Sequence, residues 1–346
     1  MCITKGVSMK KILLSVLTCA VLFGLAACKE KTIPELAAKH NLEIGTAVGN
    51  DFYSPEGQER IKDFSSVIVA ENAMKWANLR PNQRFWNWND VDKMVEFGQE
   101  NKITIKFHTL FWHNQNSSFL SSMKTKEEAT AMMDDHIKTI LERYKGKIAY
   151  YDVVNEMFEE DGSFRKTIWY NLMGEDYIAH ALKTARAADP DAKLYLNEYN
   201  NENLGNAKAD AMFNLVKKFV DEGVPIDGVG MQLHLATDLP FDKEAIRANV
   251  KRYADIGIDV SFSEVDVRMP DRKASDENEI KKQTEIYTAL VDIAKTEPNV
   301  KTFIVWGLSD KDTWVPGTFP GYGSPCIYDK AMNKKPLYQA IKDTLK

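Results

Sequence analysis

The feature of the sequence that most constrains its fold is a regular alternation of short β-branched runs with longer amphipathic stretches. Eight runs have the length and composition of strands: Leu42–Val48, Ser66–Ala70, Thr104–Thr109, Ala149–Val154, Lys193–Leu196, Gly228–Gln232, Asp259–Ser263 and Lys301–Val305. Helical patterns lie between them, at Asp90–Glu100, Lys126–Tyr144, Asp176–Ala188, Ala207–Glu222, Lys243–Ile256 and Glu279–Lys295. Eight strands separated by helices predict an α/β fold in which one parallel sheet closes on itself, a single (β/α)8 TIM barrel.

An open doubly wound sheet is the alternative architecture for such an alternation. That fold usually carries a glycine-rich phosphate-binding turn directly after its first strand. Here the first predicted strand ends in Gly45-Thr46-Ala47-Val48-Gly49, and no G-x-G-x-x-G motif follows. The sequence therefore favours the barrel. No low-complexity tract or Pro/Gly/Ser linker interrupts the chain after residue 32, so we predict one domain over residues 29–346.

The first 28 residues are typical of a targeting segment. Lys10-Lys11 precedes an apolar run from Ile12 to Leu25, and Leu25-Ala26-Ala27-Cys28 completes the segment. A basic start, a short apolar stretch and small residues before a cleavage site predict a signal peptide. Because Cys28 stands directly after Leu-Ala-Ala, the segment resembles the bacterial lipobox, in which that cysteine is lipidated. We expect an exported lipoprotein anchored to the membrane, facing the periplasm or the cell surface; an ordinary secretory signal with an incidental cysteine is the alternative.

Charge and cysteine content narrow the possible partners. With a formal net charge of −5 and no dense basic block, a nucleic-acid partner is not expected. Cys2 and Cys19 would leave with the signal and Cys28 would carry lipid, so Cys326 alone remains in the mature chain. We therefore expect no internal disulfide and no cysteine-based metal site. We also expect a monomer that needs no cofactor.

Ionisable and aromatic side chains collect at the carboxyl ends of seven predicted strands, where a TIM barrel places its catalytic groups. They are, in chain order, Glu71-Asn72-Ala73-Met74-Lys75-Trp76, His108 with Trp112-His113-Asn114-Gln115, Asn155-Glu156, Asn197-Glu198-Tyr199-Asn200, Gln232-Leu233-His234, Glu264-Val265-Asp266, and Trp306 with Trp314. Strand ends that serve only the structure would carry capping Ser, Thr, Asp and Gly instead. The pattern indicates an active site at this end of the barrel.

Glu156 and Glu264 are the carboxylates best placed for catalysis. Glu156 follows an apolar strand and Asn155, and Glu264 has the equivalent position on the seventh predicted strand, across the barrel mouth. Two carboxylates that face each other over a cleft are the machinery of glycoside hydrolysis: one protonates the leaving oxygen, while the other attacks the anomeric carbon or activates water. A buried salt bridge is the alternative role for either glutamate alone.

Two further groups have alternative interpretations. His108, His113 and His234 admit a zinc site, but the sequence has neither a His-x-His pair on its first strand nor a His-Glu-x-x-His motif. Hydrogen bonding to a sugar or a carboxylate is therefore favoured, and no metal is expected. Trp306 and Trp314 follow the last strand near three glycines, which favours a rim loop where indoles stack on pyranose rings; core packing is the alternative.

Six segments, in order and at barrel spacing, closely resemble those of glycoside hydrolase family 10, the barrel xylanases. They are Glu71-Asn72…Lys75-Trp76, His108-Thr109-Leu110…Trp112-His113-Asn114-Gln115, Asp152-Val153-Val154-Asn155-Glu156, Tyr195-Leu196-Asn197-Glu198-Tyr199-Asn200, Gly228-Val229-Gly230-Met231-Gln232…His234 and Ser263-Glu264-Val265-Asp266. The similarity runs from about Thr46 to Lys346. It implies a retaining endo-β-1,4-xylanase that cleaves internal linkages of xylan and xylo-oligosaccharides through a glycosyl-enzyme intermediate.

Residue by residue, the resemblance also implies roles. Glu156 would be the acid/base and Glu264 the nucleophile. Asn155 would bind the 2-hydroxyl of the sugar at the cleaved bond. Gln232 would help to position Glu156, and His234, with Asp266 behind it, would orient Glu264. The remaining sugar contacts would come from Glu71, Asn72 and Lys75 on the non-reducing side, from His108, Trp112, Gln115, Trp306 and Trp314 around the reacting sugar, and from Tyr199.

Two other functions remain open at this point. The first is a different retaining barrel glycosidase, such as a β-1,4-glucanase, and the group Glu71, Asn72 and Lys75 speaks against it. The second is a non-catalytic, surface-anchored glycan-binding protein on the same barrel. The presence of both Glu156 and Glu264 argues against that function.

Overall fold

Eight parallel strands close into a barrel in the structure, a computed structural model that describes residue 1 and residues 30–346. The strands of the chain are β1 Glu43–Val48, β2 Val67–Ala70, β3 Thr104–Phe111, β4 Tyr150–Asn155, β5 Lys193–Glu198, β6 Gly228–Met231, β7 His234–Ala236, β8 Asp259–Pro270, β9 Val300–Val305 and β10 Tyr322–Gly323. The barrel order is β1-β2-β3-β4-β5-β6-β8-β9, and β9 pairs with β1 to close it. All eight predicted strands and the predicted TIM barrel are confirmed.

The helices are α1 Ile33–Ala37, α2 Pro55–Phe64, α3 Trp76–Leu79, α4 Asn89–Asn101, α5 Lys126–Tyr144, α6 Ile168–Met173, α7 Asp176–Ala188, α8 Ala207–Glu222, α9 Lys243–Ala254, α10 Glu277–Thr296, α11 Val315–Thr318 and α12 Pro336–Thr344. Short 3₁₀ turns lie at Ala38–His40, Asn50–Tyr53, Ser118–Ser122 and Asp271–Lys273. The six predicted helices are confirmed within two residues at each end. They are α4, α5 and α7 to α10.

Local chemistry fixes where these helices begin and end. Thr125 and Glu128 form a reciprocal capping box at the start of α5, so two backbone N–H groups gain side-chain acceptors. Asp242 accepts hydrogen bonds from the first turn of α9. Gly223 ends α8 in the left-handed conformation, with φ of 68°, which glycine adopts without steric cost.

The strands bury both of their faces, as parallel barrel strands do. In β9, Phe303 and Val305 belong to the large cluster that packs against the helices, whereas Ile304 belongs to a small separate cluster with Ala47 and Trp306. Because successive strand residues point to opposite faces, the small cluster lies on the inner face. Buried polar side chains complete the barrel, for example the ion pair of Lys106 Nζ and Asp152 Oδ1 at 3.0 Å.

Strand β8 extends beyond the barrel. It pairs with β6 along Asp259–Phe262, then with β7 from Asp266, and its last two residues pair antiparallel with β10. Glu264 therefore lies within a continuous strand and not on the loop that follows it.

The predicted signal segment and Cys28 lie outside the described residues. The barrel unit spans Thr32–Lys346. In residues 30–346, no helix combines the length and the apolar composition that crossing a bilayer requires.

Candidate active site

Glu264 is held by cations and amide donors although it is almost fully buried. Asn197 Nδ2 donates to its Oε1 at 2.7 Å, and His234 Nε2 lies 3.3 Å from its Oε2. Burial by itself would raise the pKa of Glu264, but the charges of His108, His234 and Lys75 together with the His234 hydrogen bond outweigh it and lower the pKa to about 2. Glu264 is thus an ionised carboxylate over the whole neutral range.

His234 is held between two carboxylates. Its Nδ1 lies 2.8 Å from Asp266 Oδ2, while its Nε2 faces Glu264. Burial would lower the pKa of His234, but the charges and hydrogen bonds of Asp266 and Glu264 raise it to about 10. Both ring nitrogens therefore carry a proton, and each donates a hydrogen bond to a carboxylate. Trp314 Nε1 donates to the same Asp266 oxygen at 2.9 Å, which fixes the indole beside the His234 ring.

Glu156 follows β4 in an unusual backbone conformation, with φ of 57°. Its Oε1 accepts hydrogen bonds from Gln232 Nε2 and Asn155 Nδ2, both at 3.2 Å. The other oxygen, Oε2, lies 3.5 Å from His113 Nδ1. Burial is the largest influence on the pKa of His113 and lowers it. Glu156 therefore accepts its hydrogen bonds from neutral amides, whereas Glu264 also has His234 at 3.3 Å.

Asn197 connects the two catalytic carboxylates. Its Nδ2 donates to Asn155 Oδ1 at 2.9 Å as well as to Glu264, and Ser263 Oγ donates to its Oδ1 at 2.6 Å. Gly230 on the neighbouring strand makes room for this amide, since a Cβ there would lie 1.9 Å from Asn197 Oδ1. Two side-chain amides thus bridge Glu156 and Glu264. Sequence reasoning assigned no role to Asn197, although it stands directly before Glu198 at the end of β5.

A second group of polar side chains lies beside Glu264. Lys75 Nζ is 3.4 Å from Asn72 Oδ1, and burial lowers the pKa of Lys75 against the attraction of Glu264, Glu71 and Glu156. Three other residues predicted for the site belong to the same group. Gln115 Nε2 donates to Asn72 Oδ1 at 3.3 Å, and Lys75 Nζ lies 4.8 Å from the Trp112 ring and 6.0 Å from the Trp306 ring.

Asp312 also belongs to this group, although it was not among the residues predicted from the sequence. Its Oδ2 and Glu71 Oε2 lie 2.7 and 2.9 Å from the position that a Cβ would take on Gly49, so the two carboxylates converge on one point. Burial raises the pKa of Glu71, and the charge of Asp312 adds to that effect. In the sequence, its position close to Trp314 was the feature that could have placed Asp312 near the site.

His108 and Tyr199 have structural contacts as well as their place near the site. His108 Nδ1 lies 2.9 Å from Asp152 Oδ2 and 3.9 Å from Glu264 Oε1. The hydroxyl of Tyr199 accepts a hydrogen bond from Arg165 Nη2 at 3.0 Å. From the sequence, Asp152 was named only as part of a motif with no role of its own, and Arg165 was not named.

Each of the three histidines of the alternative zinc site lies beside a carboxylate. His108 faces Asp152, His113 faces Glu156, and His234 faces Glu264 with Asp266. Across residues 30–346, no group of three or more His, Cys, Asp and Glu side chains is arranged to hold a metal ion. Each imidazole instead pairs with a carboxylate.

The arrangement combines one carboxylate that is held ionised with a second carboxyl group in a neutral hydrogen-bonding environment, both at the mouth of the barrel. A permanently ionised carboxylate is suited to attack an electron-poor carbon. The second group, linked to it by two amides, is suited to move a proton on the same substrate.

Comparison with known proteins agrees with this chemistry. Residues 32–344 match the profile of glycosyl hydrolase family 10. Endo-1,4-beta-xylanase B from Thermotoga neapolitana is 36% identical over 339 residues, which cover 96% of each chain. The crystal structure of xylanase 10B from Thermotoga petrophila in complex with xylobiose superposes with a TM-score of 0.88 at 37% identity, covering 92% of this chain and 98% of that one. Native xylanase 10B from Thermotoga maritima gives a TM-score of 0.87 at 37% identity, covering 91% and 98%. The chain therefore belongs to glycosyl hydrolase family 10, as an endo-1,4-β-xylanase.

Proposed function

We propose that this endo-1,4-β-xylanase works by double displacement, with Glu264 as the nucleophile and Glu156 as the acid/base. The observation that carries the proposal is the contrast between the two carboxyl environments. Glu264 is surrounded by His234, His108 and Lys75, which favour its anion, whereas Glu156 accepts hydrogen bonds from neutral amides. A nucleophile must be ionised before it attacks, and an acid/base must exchange a proton in both directions.

In the first step, a carboxylate oxygen of Glu264 forms a bond to the anomeric carbon while the bond from that carbon to the leaving oxygen breaks. Glu156 gives its proton to the leaving oxygen, so the departing chain leaves as an alcohol and Glu156 becomes a carboxylate. The product on the enzyme is a glycosyl ester of Glu264.

In the second step, water replaces the departed chain. The oxygen of the water forms a bond to the anomeric carbon while Glu156 accepts a proton from the water. The ester bond breaks at the same time, which restores the Glu264 carboxylate. Two inversions at one carbon leave the β-configuration unchanged. Retaining enzymes hold their two carboxyl groups about 5–5.5 Å apart, so the proposal predicts that separation between Glu156 and Glu264.

The sugar-binding roles that we propose are those implied by the resemblance to the family. We assign Glu71, Asn72 and Lys75, which lie together beside Glu264, to the xylose on the non-reducing side. Trp112, Trp306 and Trp314 would cover the reacting sugar, with Gln115, His108 and Asn155 as hydrogen-bonding partners; Tyr199 would contact the departing chain. The relative from Thermotoga petrophila was crystallised with xylobiose, which supports xylo-oligosaccharides as ligands.

The roles of the two carboxylates can be separated with two variants and one added nucleophile. Glu264→Ala should abolish turnover on every substrate. Glu156→Ala should lower kcat/KM on xylan by about 10²–10⁴-fold, the usual contribution of a general acid, but much less on an aryl xylobioside with a good leaving group. Azide should rescue Glu156→Ala and yield a β-glycosyl azide.

Two results would overturn the assignment. The first is a β-glycosyl azide from Glu264→Ala and none from Glu156→Ala, which would reverse the roles. The second is an α-anomer as the first product seen by NMR during wild-type hydrolysis, which would exclude double displacement. Rates on xylan and on soluble cellulose, measured with the same preparation, test the glucanase alternative.

We further propose that Cys28 carries a lipid, so that a monomeric enzyme faces the periplasm or the cell surface from a membrane anchor. The support is the order of Lys10-Lys11, the apolar run and Leu25-Ala26-Ala27 before that cysteine. The wild-type protein should fractionate with membranes, and Cys28→Ala should release it or block its processing. A fully soluble wild-type protein that keeps its N-terminal segment would refute the anchor, and gel filtration of the released barrel tests the monomer.

A further inference from the structure

The segment that carries Glu156 has a backbone conformation that a non-glycine residue rarely adopts. Glu156 has φ of 57°, in the left-handed region, directly after the last residue of β4. For residues with a Cβ this conformation is sterically unfavourable, and it persists where the surroundings enforce it. The contacts around residues 156–160 therefore decide where the carboxyl group of Glu156 points.

On the carbonyl side, Arg165 supplies the constraint. Its Nε donates to the backbone oxygen of Glu156 at 3.0 Å, and its Nη2 donates to the backbone oxygen of Phe158 at 2.9 Å and to the Tyr199 hydroxyl at 3.0 Å. The planar guanidinium thus fixes two carbonyl groups, two residues apart, in one orientation.

On the amide side, Glu198 supplies the constraint. Its Oε2 accepts from the Phe158 N–H at 3.0 Å, and its Oε1 accepts from the Tyr199 N–H at 3.1 Å. The N–H of Glu156 itself donates to the backbone oxygen of Asn197 at 2.8 Å. Phe158 is consequently held at both its N–H and its carbonyl oxygen, by side chains of opposite charge.

Lys208 balances the charge of Glu198 from helix α8. Its Nζ lies 3.0 Å from Glu198 Oε1, and both side chains are 0% exposed. It also lies 3.1 Å from Glu160 Oε1, at the far end of the same segment, and 3.2 Å from the centre of the Tyr199 ring. Every contact of Glu198 is that of an acceptor, so its ionised form fits the site, although burial raises the pKa of Glu198.

We propose that Arg165, Glu198 and Lys208 are positioning residues for proton transfer by Glu156, and that they act by fixing residues 156–160 so that Glu156 keeps its left-handed conformation. The proposal rests on the role of Glu156 as acid/base. None of the three side chains is required to touch the reacting atoms. Their effect should therefore appear in steps that need the proton of Glu156 and be weak in steps that do not.

Leaving groups of different acidity separate these two kinds of step. A phenyl β-xylobioside needs a proton from the enzyme to depart, whereas a 2,4-dinitrophenyl β-xylobioside does not. A displacement of about 1 Å costs around 10²-fold in rate. We expect Lys208→Met to lower kcat of the first step about 10–100-fold for the phenyl substrate and less than about threefold for the dinitrophenyl substrate. Loss of general structure would lower both rates together.

Lys217→Met is the matched control, because Lys217 lies on the same helix in an exposed ion pair with Asp221 at 2.7 Å. It should leave both rates unchanged. Arg165→Met should reproduce the substrate dependence of Lys208→Met from the opposite side of the turn, and Arg165→Lys should restore none of it, since an ammonium cannot bind both carbonyl groups. Circular dichroism and the melting temperature of each variant show whether it is folded. If Lys208→Met does not fold, Arg165→Met provides the test.

The outcomes separate this proposal from the assignment of Glu156. If folded Lys208→Met and Arg165→Met slow both substrates equally, or neither, the positioning role is wrong. If Glu156→Ala itself shows no dependence on the leaving group, the acid/base assignment is wrong instead. The positioning role stands if Lys208→Met, Arg165→Met and Glu156→Ala all slow the phenyl substrate more than the dinitrophenyl substrate and Lys217→Met slows neither.

Discussion

Replacing His234 with glutamine should make the activity of the enzyme sensitive to mild acid. Lowering the pKa of Glu264 from 4.5 to about 2 corresponds to about 3 kcal/mol in favour of the anion. Burial opposes this, so the stabilising contacts together supply more than that amount. His234 contributes both a hydrogen bond and a positive charge, and glutamine retains at most the hydrogen bond. With His108 and Lys75 still present, we expect the pKa of Glu264 to rise to about 4.

The assay is kcat/KM on a dinitrophenyl β-xylobioside between pH 3 and 7, because its acid limb reports the ionisation of the nucleophile in the free enzyme. At pH 3 the ionised fraction of Glu264 should be about tenfold lower in the variant than in the wild type. His180→Gln is the control, since His180 pairs with Asp134 on the outer helices at 2.7 Å. An acid limb at the same pH in His234→Gln and wild type, with both folded by circular dichroism, would refute the electrostatic account.

The same substitution has a signature in stability. The pKa of His234 is raised from 6.5 to about 10 in the folded protein, so its stabilising effect is fully present below pH 6.5 and is lost as the pH rises through 10. Glu264 behaves oppositely, because its lowered pKa stabilises the fold above pH 4.5 and ceases to do so as the pH falls through about 2. The difference in melting temperature between wild type and His234→Gln should therefore be largest from pH 4.5 to 6.5 and should shrink towards pH 10.

Three further substitutions test other parts of the site and core. Asn197→Ala removes donors to Glu264 and Asn155, so kcat should fall about 10–100-fold on substrates with good and poor leaving groups alike, and a change under twofold in initial rates would contradict the bridge. Gly230→Ala places a Cβ 1.9 Å from Asn197 Oδ1, so urea titration should show a loss of about 1–3 kcal/mol in the free energy of unfolding; an unchanged midpoint would show that the amide can move. His136→Phe should preserve stacking against Trp76 and remove two buried nitrogens that have no hydrogen-bond partner among the described residues. It should stabilise the fold by about 1 kcal/mol at pH 8 and by more at pH 5, because burial lowers the pKa of His136 and only the unfolded chain takes up its proton below pH 6.5; equal gains at the two pH values would refute this.

The sequence was sufficient for the barrel because each strand and each long helix carries its own signal. Strand β8 is the informative exception. Residues 264–269 alternate Glu, Val, Asp, Val, Arg and Met, which is the period of a strand with one apolar face. The prediction stopped at Ser263, because charged residues at a barrel rim are usually on a loop. The strand continues to Pro270 because β7 and β10 pair with it, and pairing partners are not visible in a local pattern. Helix α6, at Ile168–Met173, was missed because six residues are too few to show a period.

In the candidate site, too, some residues could be predicted from local motifs and others could not. Motifs that end a strand directed attention to Glu156, Glu264 and His234, and their contacts are consistent with the expected roles. Asn197 was given no role of its own and Arg165 was not named, because their importance depends on which side chains from distant strands and turns meet them. His136 shows the same limit: its ring is fully buried and lies 3.6 Å from that of Trp76, and a helical pattern does not reveal that partner. Hydrogen-bond networks are a property of the assembled barrel, not of any one segment.

The position of Glu264 inside β8 has a consequence for the evolution and engineering of specificity. Loops are the parts of a barrel that tolerate insertion and exchange, and a nucleophile on a loop would move whenever that loop was remodelled. Here β8 is paired with β6 and β9 before Glu264 and with β7 from Asp266, so the backbone position of Glu264 does not depend on the loops at the rim. Chimeras that exchange the loops after β2, β3 or β9 with those of relatives, while they keep Lys75 and Trp314, should therefore select different chain ends or branches while the glycosyl ester still forms at an unchanged point.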